Sequence, residues 1–439
     1  MFVANFWLLR LIALPIAAAV GVLVLPPAMA AGRPGDNEIQ ARWTALGGDG
    51  GPLGAELPPP DDRPYDVPGG RAQGFANGSI FWSPATVAWD VLGPVRDRYL
   101  AGGGPAGTLG YPTAAAEPAG VPDAVVQVFT GGRVYSSAAT GPHAVQGAVL
   151  ARYLAAGGPT GRLGMPTTEE AYGGISGSRA TVFTGGRIYW SATTGAQAVY
   201  GAILQKYLAI GAARSYLGLP TTSEYALSTG RRNKFASGVI TYYTSSRSVV
   251  VAGTWRPSVT TVAAAEMPYT YRPGCPVGPS GLRRVRLPYY DWAGVPQMGD
   301  IVLRINSADD MQRVFKRAFD ARFPIRKMRL ADVYRGSDVS SMAADNTSAF
   351  NCRKVTGNPY RLSQHSYGHA IDINTYENPY VTSSRVYPSG SQTYLNRRNV
   401  RKGMIVSSGV IARAMRVEGW PWGARWSHPD YPHFSANGG

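Results

Sequence analysis

The chain has 439 residues and a formal net charge of +16, from 43 lysines and arginines against 27 acidic residues. This length excludes a single ordinary hydrophobic core and predicts two or three folded units. About three quarters of the net charge lies beyond residue 270, which favours an acidic partner for the C-terminal part. General solubility is the alternative interpretation of the charge.

The first thirty residues predict a cleaved signal peptide. Arg10 precedes the apolar run LIALPIAAAVGVLVLP, and Ala28-Met29-Ala30 places small residues around a cleavage site. A retained membrane anchor is the alternative, although the two prolines of the run favour cleavage. No second apolar segment is long enough to span a membrane. The sequence therefore predicts an exported protein, for which wall polymers and peptide carboxylates are better acidic partners than nucleic acid.

Residues 42–250 repeat with a period of 54 positions. Leu-Gly-x-Pro tetrapeptides begin at Leu109, Leu163 and Leu217, and a degraded copy begins at Leu53. Between them, FTGGRVYSS and FTGGRIYWS predict a strand, a glycine turn and a strand, and stretches such as GAVLARYLA predict a helix of two to three turns. Because one such unit cannot bury its apolar face alone, about four units are expected to pack into a shared core.

The period and the Leu-Gly-x-Pro signature resemble the LGFP repeats of actinobacterial wall-associated proteins. Here the third position is Tyr111, Met165 or Leu219 and never Phe. The resemblance implies association with the cell envelope, and a structural spacer is the alternative. Only His143 of the five histidines lies in the array, where a surface position is expected.

Residues 251–274 have the composition of a linker, and a new domain is predicted over 275–439. From Ser307 to Ala321, a serine N-cap, two acids in the first turn and spaced apolar residues predict a helix with one buried face. Residues 325–333 predict a strand. Because strand and helix do not alternate regularly, the predicted fold class is α+β, an array of hairpin-plus-helix repeats followed by a compact domain with a small antiparallel sheet.

Cys275 and Cys352 are the only two cysteines. In an exported protein we expect them to form a disulfide. Two free thiols are the alternative, and a joint metal site is disfavoured because neither cysteine lies in a CxxC motif or next to a histidine. A bridge would join the start of the C-terminal domain to the loop before its main motif.

Histidines and aspartates cluster near the C-terminus, in SQHSYGHAID (363–372) and WSHPDYPHF (426–434). A hydrolytic zinc needs three nitrogen or oxygen ligands and one open position for water. We expect His365, Asp372 and His433 to supply the ligands. Asp430 is the candidate for the base that takes the proton of that water and hands it to the leaving amine.

The remaining polar residues of the cluster have other expected roles. His369 is predicted to face the opposite side of its strand, and His428 lies in a turn before a proline, so neither is expected to be a primary ligand. Ser363 is expected to be a structural hydrogen-bonding residue, because no GxSxG elbow surrounds it. Asp430 could instead orient a ligand histidine.

Charge that develops on the scissile oxygen needs a fixed cationic or hydrogen-bonding partner. Arg335, at the end of the predicted strand, is the candidate for this role. Arg326, Lys327 and Arg329 lie in the same strand, and any of them could instead reach a substrate carboxylate.

At these residues the sequence resembles the M15 family of zinc peptidases, which contains D-alanyl-D-alanine carboxypeptidases and dipeptidases and phage L-alanyl-D-glutamate endopeptidases. The pattern SxHxxGxAxD followed by (E/D)xxH is matched at every fixed position, within a resemblance that covers about 326–434. The resemblance implies zinc ligands at His365, Asp372 and His433, a general base at Asp430 and a transition-state arginine at Arg335.

Two features indicate which branch of the M15 family the chain resembles more. An aspartate at position 430 and the run GWPWGARW (419–426) are similar to the endopeptidase branch. The chain departs from the pattern in two extra histidines and in a basic segment, 396–402, to which the sequence assigns no role.

The sequence thus predicts a secreted, cell-wall-associated zinc metallopeptidase that hydrolyses an amide bond of peptidoglycan stem peptides, of the L,D-endopeptidase or D,D-carboxypeptidase type. Its predicted partners are the stem peptides and an envelope polymer bound by the repeats, with no nucleic acid and no membrane span after signal cleavage. The competing hypothesis is a wall-binding scaffold whose peptidase fold is inactive.

Overall fold

The computed structural model describes residues 33–59, 61–355 and 358–438. The predicted signal peptide, 1–30, lies outside the described residues. The chain divides into two compact units, one that extends to Leu92 and includes Tyr111–Thr113, and one formed by Gly93–Gly110 and the chain from Ala114 onward. Within the described ranges, every helix is too short or too polar to cross a membrane.

In the first unit a helix packs on a four-stranded antiparallel sheet. Ile39 of the helix lies in one buried core with Leu53, Phe75 and Ile80. The elements are α1 (Asp36–Ala45), β1 (Tyr65–Val67), β2 (Gly70–Phe75), β3 (Gly78–Ser83) and β4 (Val87–Leu92), with neighbouring strands paired in chain order.

Three more four-stranded antiparallel sheets, each with its strands in chain order, follow in the second unit. The glycine turns of FTGGRVYSS and FTGGRIYWS connect the two central strands of their sheets. The predicted hairpins are therefore the middle of larger sheets. The elements are α2 (Gly93–Ala101), β5 (Glu117–Pro118), β6 (Ala124–Phe129), β7 (Gly132–Ser137), β8 (Gly141–Gln146), α3 (Gly147–Ala155), β9 (Ala171–Tyr172), β10 (Ser178–Phe183), β11 (Gly186–Ser191), β12 (Gly195–Tyr200), α4 (Gly201–Ala209), β13 (Tyr225–Leu227), β14 (Gly230–Phe235), β15 (Gly238–Tyr243) and β16 (Ser248–Gly253).

A tyrosine in each repeat helix links that helix to the following Leu-Gly-x-Pro turn. Tyr153 of α3 donates its hydroxyl hydrogen to the carbonyl of Gly164 at 2.7 Å, and its ring centroid lies 4.7 Å from that of Phe183. Gly164 has a φ of 68°, a left-handed conformation that glycine adopts without strain. The same bond recurs from Tyr99 to Gly110 and from Tyr207 to Gly218.

The C-terminal domain is built on a three-stranded antiparallel sheet and several two-stranded ladders. Two of its helices, Ala308–Asp320 and Val410–Val417, contribute to one apolar core with the sheet. Its elements are β17 (Ser258–Thr261), β18 (Leu282–Tyr290), β19 (Pro296–Arg304), α5 (Ala308–Asp320), β20 (Lys327–Met328), α6 (Asp338–Ala343), β21 (Asn346–Thr347), β22 (Lys354–Val355), β23 (Asn358–Leu362), β24 (Ala370–Asp372), β25 (Tyr380–Val381), β26 (Val386–Tyr387), α7 (Val410–Val417) and β27 (His433–Ser435).

The predicted amphipathic helix is α5. Its apolar positions are buried against the sheet and against α7, and each large side chain so buried contributes about 1.5–3 kcal/mol of transfer free energy. Ser307 occupies the N-cap position, but its hydroxyl lies 2.8 Å from Nδ1 of His369 and makes no bond to the helix backbone.

The strand predicted over 325–333 is reduced to β20, which pairs in parallel with β21. Beyond it the side chain of Asn346 accepts from the backbone N–H of Arg329 and donates to its carbonyl. These two bonds take the place of the backbone hydrogen bonds that a neighbouring strand would make to Arg329. The chain then forms a short 3-10 helix at Ala331–Tyr334.

Residues 251–274, predicted as a linker, pack against the C-terminal domain. The segment forms β17, which pairs with β18, and it buries Val262 and Met267 in an apolar cluster with Phe350. Short, exposed strand residues such as those of β17 carry no alternating apolar pattern, which explains why sequence periodicity does not reveal them.

A disulfide joins Cys275 and Cys352, across a Cα–Cα distance of 6.0 Å. It ties the segment before β18 to the residue that precedes Arg353. The backbone N–H of Cys352 also donates to the carbonyl of Thr270 at 2.9 Å.

Candidate active site

Two short paired strands bring the separate histidine motifs together. In the antiparallel ladder of β24 and β27, Asp372 lies directly opposite His433, and Ile371 lies opposite Phe434. Ile371 and Phe434 belong to the apolar core. Because side chains alternate between the two faces of a strand, Asp372 and His433 project together on the other face.

His365 reaches the same point from a turn before β24. The hydroxyl of Ser363 accepts from the backbone N–H of His365, which caps the short 3-10 helix Gln364–Tyr367. Gly368 ends this helix with a φ of 68°, and a Cβ there would lie 2.7 Å from the backbone nitrogen of Arg304. The fold therefore accounts for Ser363 and Gly368 of the motif: Ser363 caps the 3-10 helix, and Gly368 fits where a side chain would collide with Arg304.

Nitrogen and oxygen atoms of His365, Asp372 and His433 converge, one from each residue and all within 4.8 Å of one another. Asp372 Oδ2 lies 3.1 Å from His365 Nε2, and Asp372 Oδ1 lies 3.0 Å from His433 Nδ1. The two imidazole nitrogens are 3.3 Å apart. All three residues are buried, with 3, 7 and 5 % of their surfaces exposed.

The tautomer of the neutral His365 ring follows from the partner of its Nδ1 atom. His365 Nδ1 lies 2.5 Å from the carbonyl oxygen of Ala349. A carbonyl can only accept, so Nδ1 carries the hydrogen and Nε2 directs a lone pair at Asp372 and His433 in the neutral ring. In His433, the Nε2 atom is buried and has no hydrogen-bond partner among the described residues.

We call His365, Asp372 and His433 the triad. The pKa values of these three residues depend on one another. Burial raises the pKa of Asp372, but the charge and hydrogen bond of His365, together with His433, outweigh burial and hold that pKa well below its usual range. Burial lowers the pKa of His365, and the Asp372 carboxylate overcomes this effect and raises it. Asp372 is therefore an anion at neutral pH.

Asp430 lines the cavity beside the triad. Its backbone N–H donates to the carbonyl of Gly423 at 3.0 Å, and its carbonyl accepts from the N–H of His433 at 3.3 Å. Burial, with a contribution from the Asp372 charge, raises the pKa of Asp430 to about 7. A carboxyl group with such a pKa can both accept and release a proton near neutral pH.

The triad and Asp430 lie at one wall of a cavity of about 570 Å³. Arg353 and Arg361 supply its cationic side chains. The predicted transition-state residue, Arg335, is exposed on a turn and is not among the residues that line this cavity. The alternatives Arg326, Lys327 and Arg329 do not line it either.

Arg353 lines the cavity, and the sequence pattern did not single it out. Its Nη2 lies 2.7 Å from Asp338 Oδ1, and its backbone N–H donates to the hydroxyl of Ser366 within the histidine motif. The available signal was its place directly after Cys352. The disulfide and the Ser366 bond fix that position beside the cavity.

The two remaining histidines of the domain lie apart from the triad. His369 contacts Ser307 and is not among the cavity-lining residues. His428 is exposed and lines the cavity, but it is not part of the converging group.

Different known protein families match the repeat array and the C-terminal domain. The C-terminal segment matches a peptidase family. Residues 356–436 match the M15 family model described as D-alanyl-D-alanine carboxypeptidase. Three LGFP repeats are matched at residues 53–107, 109–161 and 163–215. The predicted layout of repeats followed by an M15-like domain is confirmed, and together the matches indicate a cell-wall-associated peptidase.

No curated protein matches the chain. Among solved structures, the extracellular domain of a one-component system from B. thetaiotaomicron is similar at 12% identity and a TM-score of 0.11, over 53% of this chain and 27% of that one.

Proposed function

We propose that the C-terminal domain is a zinc-dependent peptidase that hydrolyses an amide bond in peptidoglycan stem peptides, as an L,D-endopeptidase or a D,D-carboxypeptidase, and that the repeats hold it at the envelope. The observation that carries this proposal is the convergence of His365, Asp372 and His433 beside Asp430 in one cavity.

The three converging residues suit zinc chemically. One carboxylate and two imidazoles form a donor set typical of hydrolytic zinc sites with an open fourth position. The Ala349 carbonyl fixes the His365 tautomer with its lone pair toward the other two residues, as a supporting hydrogen bond does in known metal sites. When bound, zinc supplies a Lewis acid that polarises a carbonyl and makes water acidic near neutral pH.

Asp430 performs the proton transfers in this proposal. The attacking water gives a proton to its carboxylate while the water oxygen bonds to the carbonyl carbon. The carbon–nitrogen bond then breaks, and Asp430 passes the proton to the leaving amine. Its pKa of about 7 suits both transfers.

A second role falls to the cationic wall of the cavity. Arg353 or Arg361 is placed to face negative charge on the substrate or on the scissile oxygen, since both line the cavity and Arg335 does not. The sequence-based proposal for Arg335 is therefore replaced by a proposal for these two arginines.

The test is product analysis by mass spectrometry, with full-length protein, zinc and muropeptides that carry tetrapeptide or pentapeptide stems. Release of a single D-alanine identifies a carboxypeptidase, and cleavage after L-alanine identifies an L,D-endopeptidase. We expect Asp430→Asn to lower kcat by about a hundredfold or more, the scale of general-base catalysis. The exposed Asp309 of α5 provides the matched control, Asp309→Asn.

Intact substrate after incubation with zinc-loaded protein would contradict the proposal. If the same protein still sediments with purified walls, the scaffold hypothesis replaces it.

A further inference from the structure

The basic segment 396–402 directs one guanidinium group inward. Nη1 of Arg397 donates to the carbonyls of Glu377 at 3.0 Å and Tyr394 at 3.2 Å. Nη2 donates to the side-chain oxygen of Asn378 at 2.9 Å and to the carbonyl of Ile405. Four oxygens from three parts of the chain, at 377–378, 394 and 405, therefore meet on one side chain.

The face of the same guanidinium packs on an aromatic ring. The central carbon of Arg397 lies 4.5 Å from the ring centroid of Tyr431. The backbone N–H of Tyr431 donates to the carbonyl of Pro379, and its carbonyl accepts from Trp422 Nε1 at 2.8 Å. Tyr431 directly follows Asp430, so these contacts hold the residue next to the candidate base.

The segment 378–381, which Arg397 contacts through Asn378, also pairs with the backbone at Asp430. Tyr380 forms an antiparallel bridge with Asp430, and the N–H of Val381 donates to the carbonyl of Pro429 at 2.9 Å. Tyr380 follows shortly after Asn378, which Arg397 binds. Arg397 therefore holds both strands of this backbone pairing, one through Asn378 and one through Tyr431.

We propose that Arg397 is a positioning residue that fixes Asp430 and His433 in the cavity. The proposal rests on the proposed hydrolytic function of that cavity. Arg397 does not line the cavity, so it acts through Tyr431 and through the paired segment 378–381.

The chemistry of arginine suits this role. A planar guanidinium offers several donors in its plane while its face stacks on an aromatic ring. Lysine can keep a positive charge near Tyr431 but cannot direct a rigid set of donors at four oxygens. A displacement of catalytic groups by about 1 Å can lower the rate by about a hundredfold, so loss of this anchor is expected to act on kcat.

The test compares full-length Arg397→Met and Arg397→Lys with Arg398→Met. Arg398 is the adjacent, exposed arginine and therefore the matched control. In samples that retain the wild-type circular dichroism spectrum and zinc content, we expect Arg397→Met to lower kcat at least about tenfold. We expect KM to stay within about twofold, and Arg397→Lys to recover part of the loss. Unchanged kcat in folded Arg397→Met, or an equal loss in Arg398→Met, would overturn the proposal.

Hydrogen–deuterium exchange of the peptide that spans 429–434 provides a readout that needs no activity. We expect faster exchange there in Arg397→Met and wild-type exchange in Arg398→Met. Tyr431→Leu, which removes only the stacked ring, should reproduce the change if Arg397→Met does not fold. Unchanged exchange in these variants would overturn the positioning role even if the protein cleaves peptidoglycan. Faster exchange in a protein that cleaves none would leave the positioning role standing while the proposed function fails.

Discussion

Asp372 is the residue on which the candidate site depends most. It is the anion between two buried imidazoles, and its backbone is bonded to Ser348 as well as to β27. Removal of any of the three converging side chains would leave a buried polar group without a partner and would take one donor from the proposed zinc site.

The zinc affinity of alanine variants is expected to distinguish the proposed ligand histidines from the other histidine of the cavity. We expect His365→Ala and His433→Ala to lower zinc affinity by more than about a hundredfold, beyond the 10–100-fold loss that supporting contacts cost. His428→Ala, which changes an exposed histidine of the same cavity, should bind zinc as the wild type does. Titration with a competing chelator, followed by mass spectrometry of the metal, measures both. Wild-type affinity in His433→Ala would contradict the ligand assignment.

The convergence of His365, Asp372 and His433 could be predicted from sequence, whereas the position of Arg353 at the cavity could not. The spacing of His365 and Asp372 within SQHSYGHAID is local, so one turn and one strand bring them close. Arg353 reaches the cavity through the hairpin of β22 and β23, the disulfide and a bond to Ser366. These contacts connect residues that no local periodicity relates, so Arg335 was chosen from a strand that the fold shortens.

In the repeats, Tyr153 offers a test of the tyrosine-to-glycine bond. Tyr153→Phe keeps the ring on Phe183 but removes the donor to the Gly164 carbonyl. We expect the free energy of unfolding to fall by about 1 kcal/mol, the net value of such a bond. Tyr172→Phe is the control, since Tyr172 is 59% exposed. Urea denaturation of both variants measures the difference, and equal midpoints would show that the hydroxyl contributes nothing.

At the scale of elements, the site rests on ladders too short to be stable alone. β24 and β27 have three residues each, and their inward faces belong to the same core as α5 and α7. The sequence predicted α5 well because its apolar residues follow a helical period. It could not reveal β17 or the first strand of each repeat sheet, because these strands have only two to four residues and show no clear alternation of buried and exposed positions.

Asp345 and Glu377 are buried acidic side chains that both contact Arg326. Arg326 Nη2 lies 3.3 Å from Glu377 Oε1, and Arg326 Nε lies 3.4 Å from Asp345 Oδ2. Burial, followed by the hydrogen bond and charge of Asp345, raises the pKa of Glu377 to about 8. The folded protein therefore retains a proton here that the unfolded chain releases near pH 4.5.

This buried pair predicts a pH dependence of stability. Between about pH 4.5 and 8 the folded state binds more protons than the unfolded state, so this group makes stability fall as pH rises through that window, by at most about 1.4 kcal/mol per pH unit. Glu377→Gln should flatten the dependence, and Glu170→Gln, at an exposed carboxylate of the repeats, should not. Urea denaturation from pH 5 to 8 measures the slopes. Parallel slopes for wild type and Glu377→Gln would refute this account.

At the scale of the whole molecule, the last repeat sheet and the C-terminal domain belong to one compact unit. The N–H of Gly253, at the end of β16, donates to the hydroxyl of Tyr290 at 3.1 Å, and Trp255 packs on Phe319 of α5. The chain between repeats and domain is therefore part of the domain surface. The proposed tethering of the peptidase by its repeats thus involves packed contacts, and a domain cut at residue 271 would lose β17 and the buried Val262 and Met267.

Within the C-terminal domain, the disulfide joins the segment before β18 to the residue that precedes Arg353. It closes a loop of 77 residues between Cys275 and Cys352, which restricts the unfolded chain and is expected to contribute about 4 kcal/mol. We expect the double variant Cys275→Ser/Cys352→Ser to lose about this free energy of unfolding in urea, and dithiothreitol to shift the wild type toward the variant without affecting the variant. Because Cys352 precedes Arg353, the loss should come with faster hydrogen exchange at the cavity wall. An unchanged urea midpoint for the reduced wild type would show that β17 and the apolar cluster around Phe350 hold the segment without the bridge.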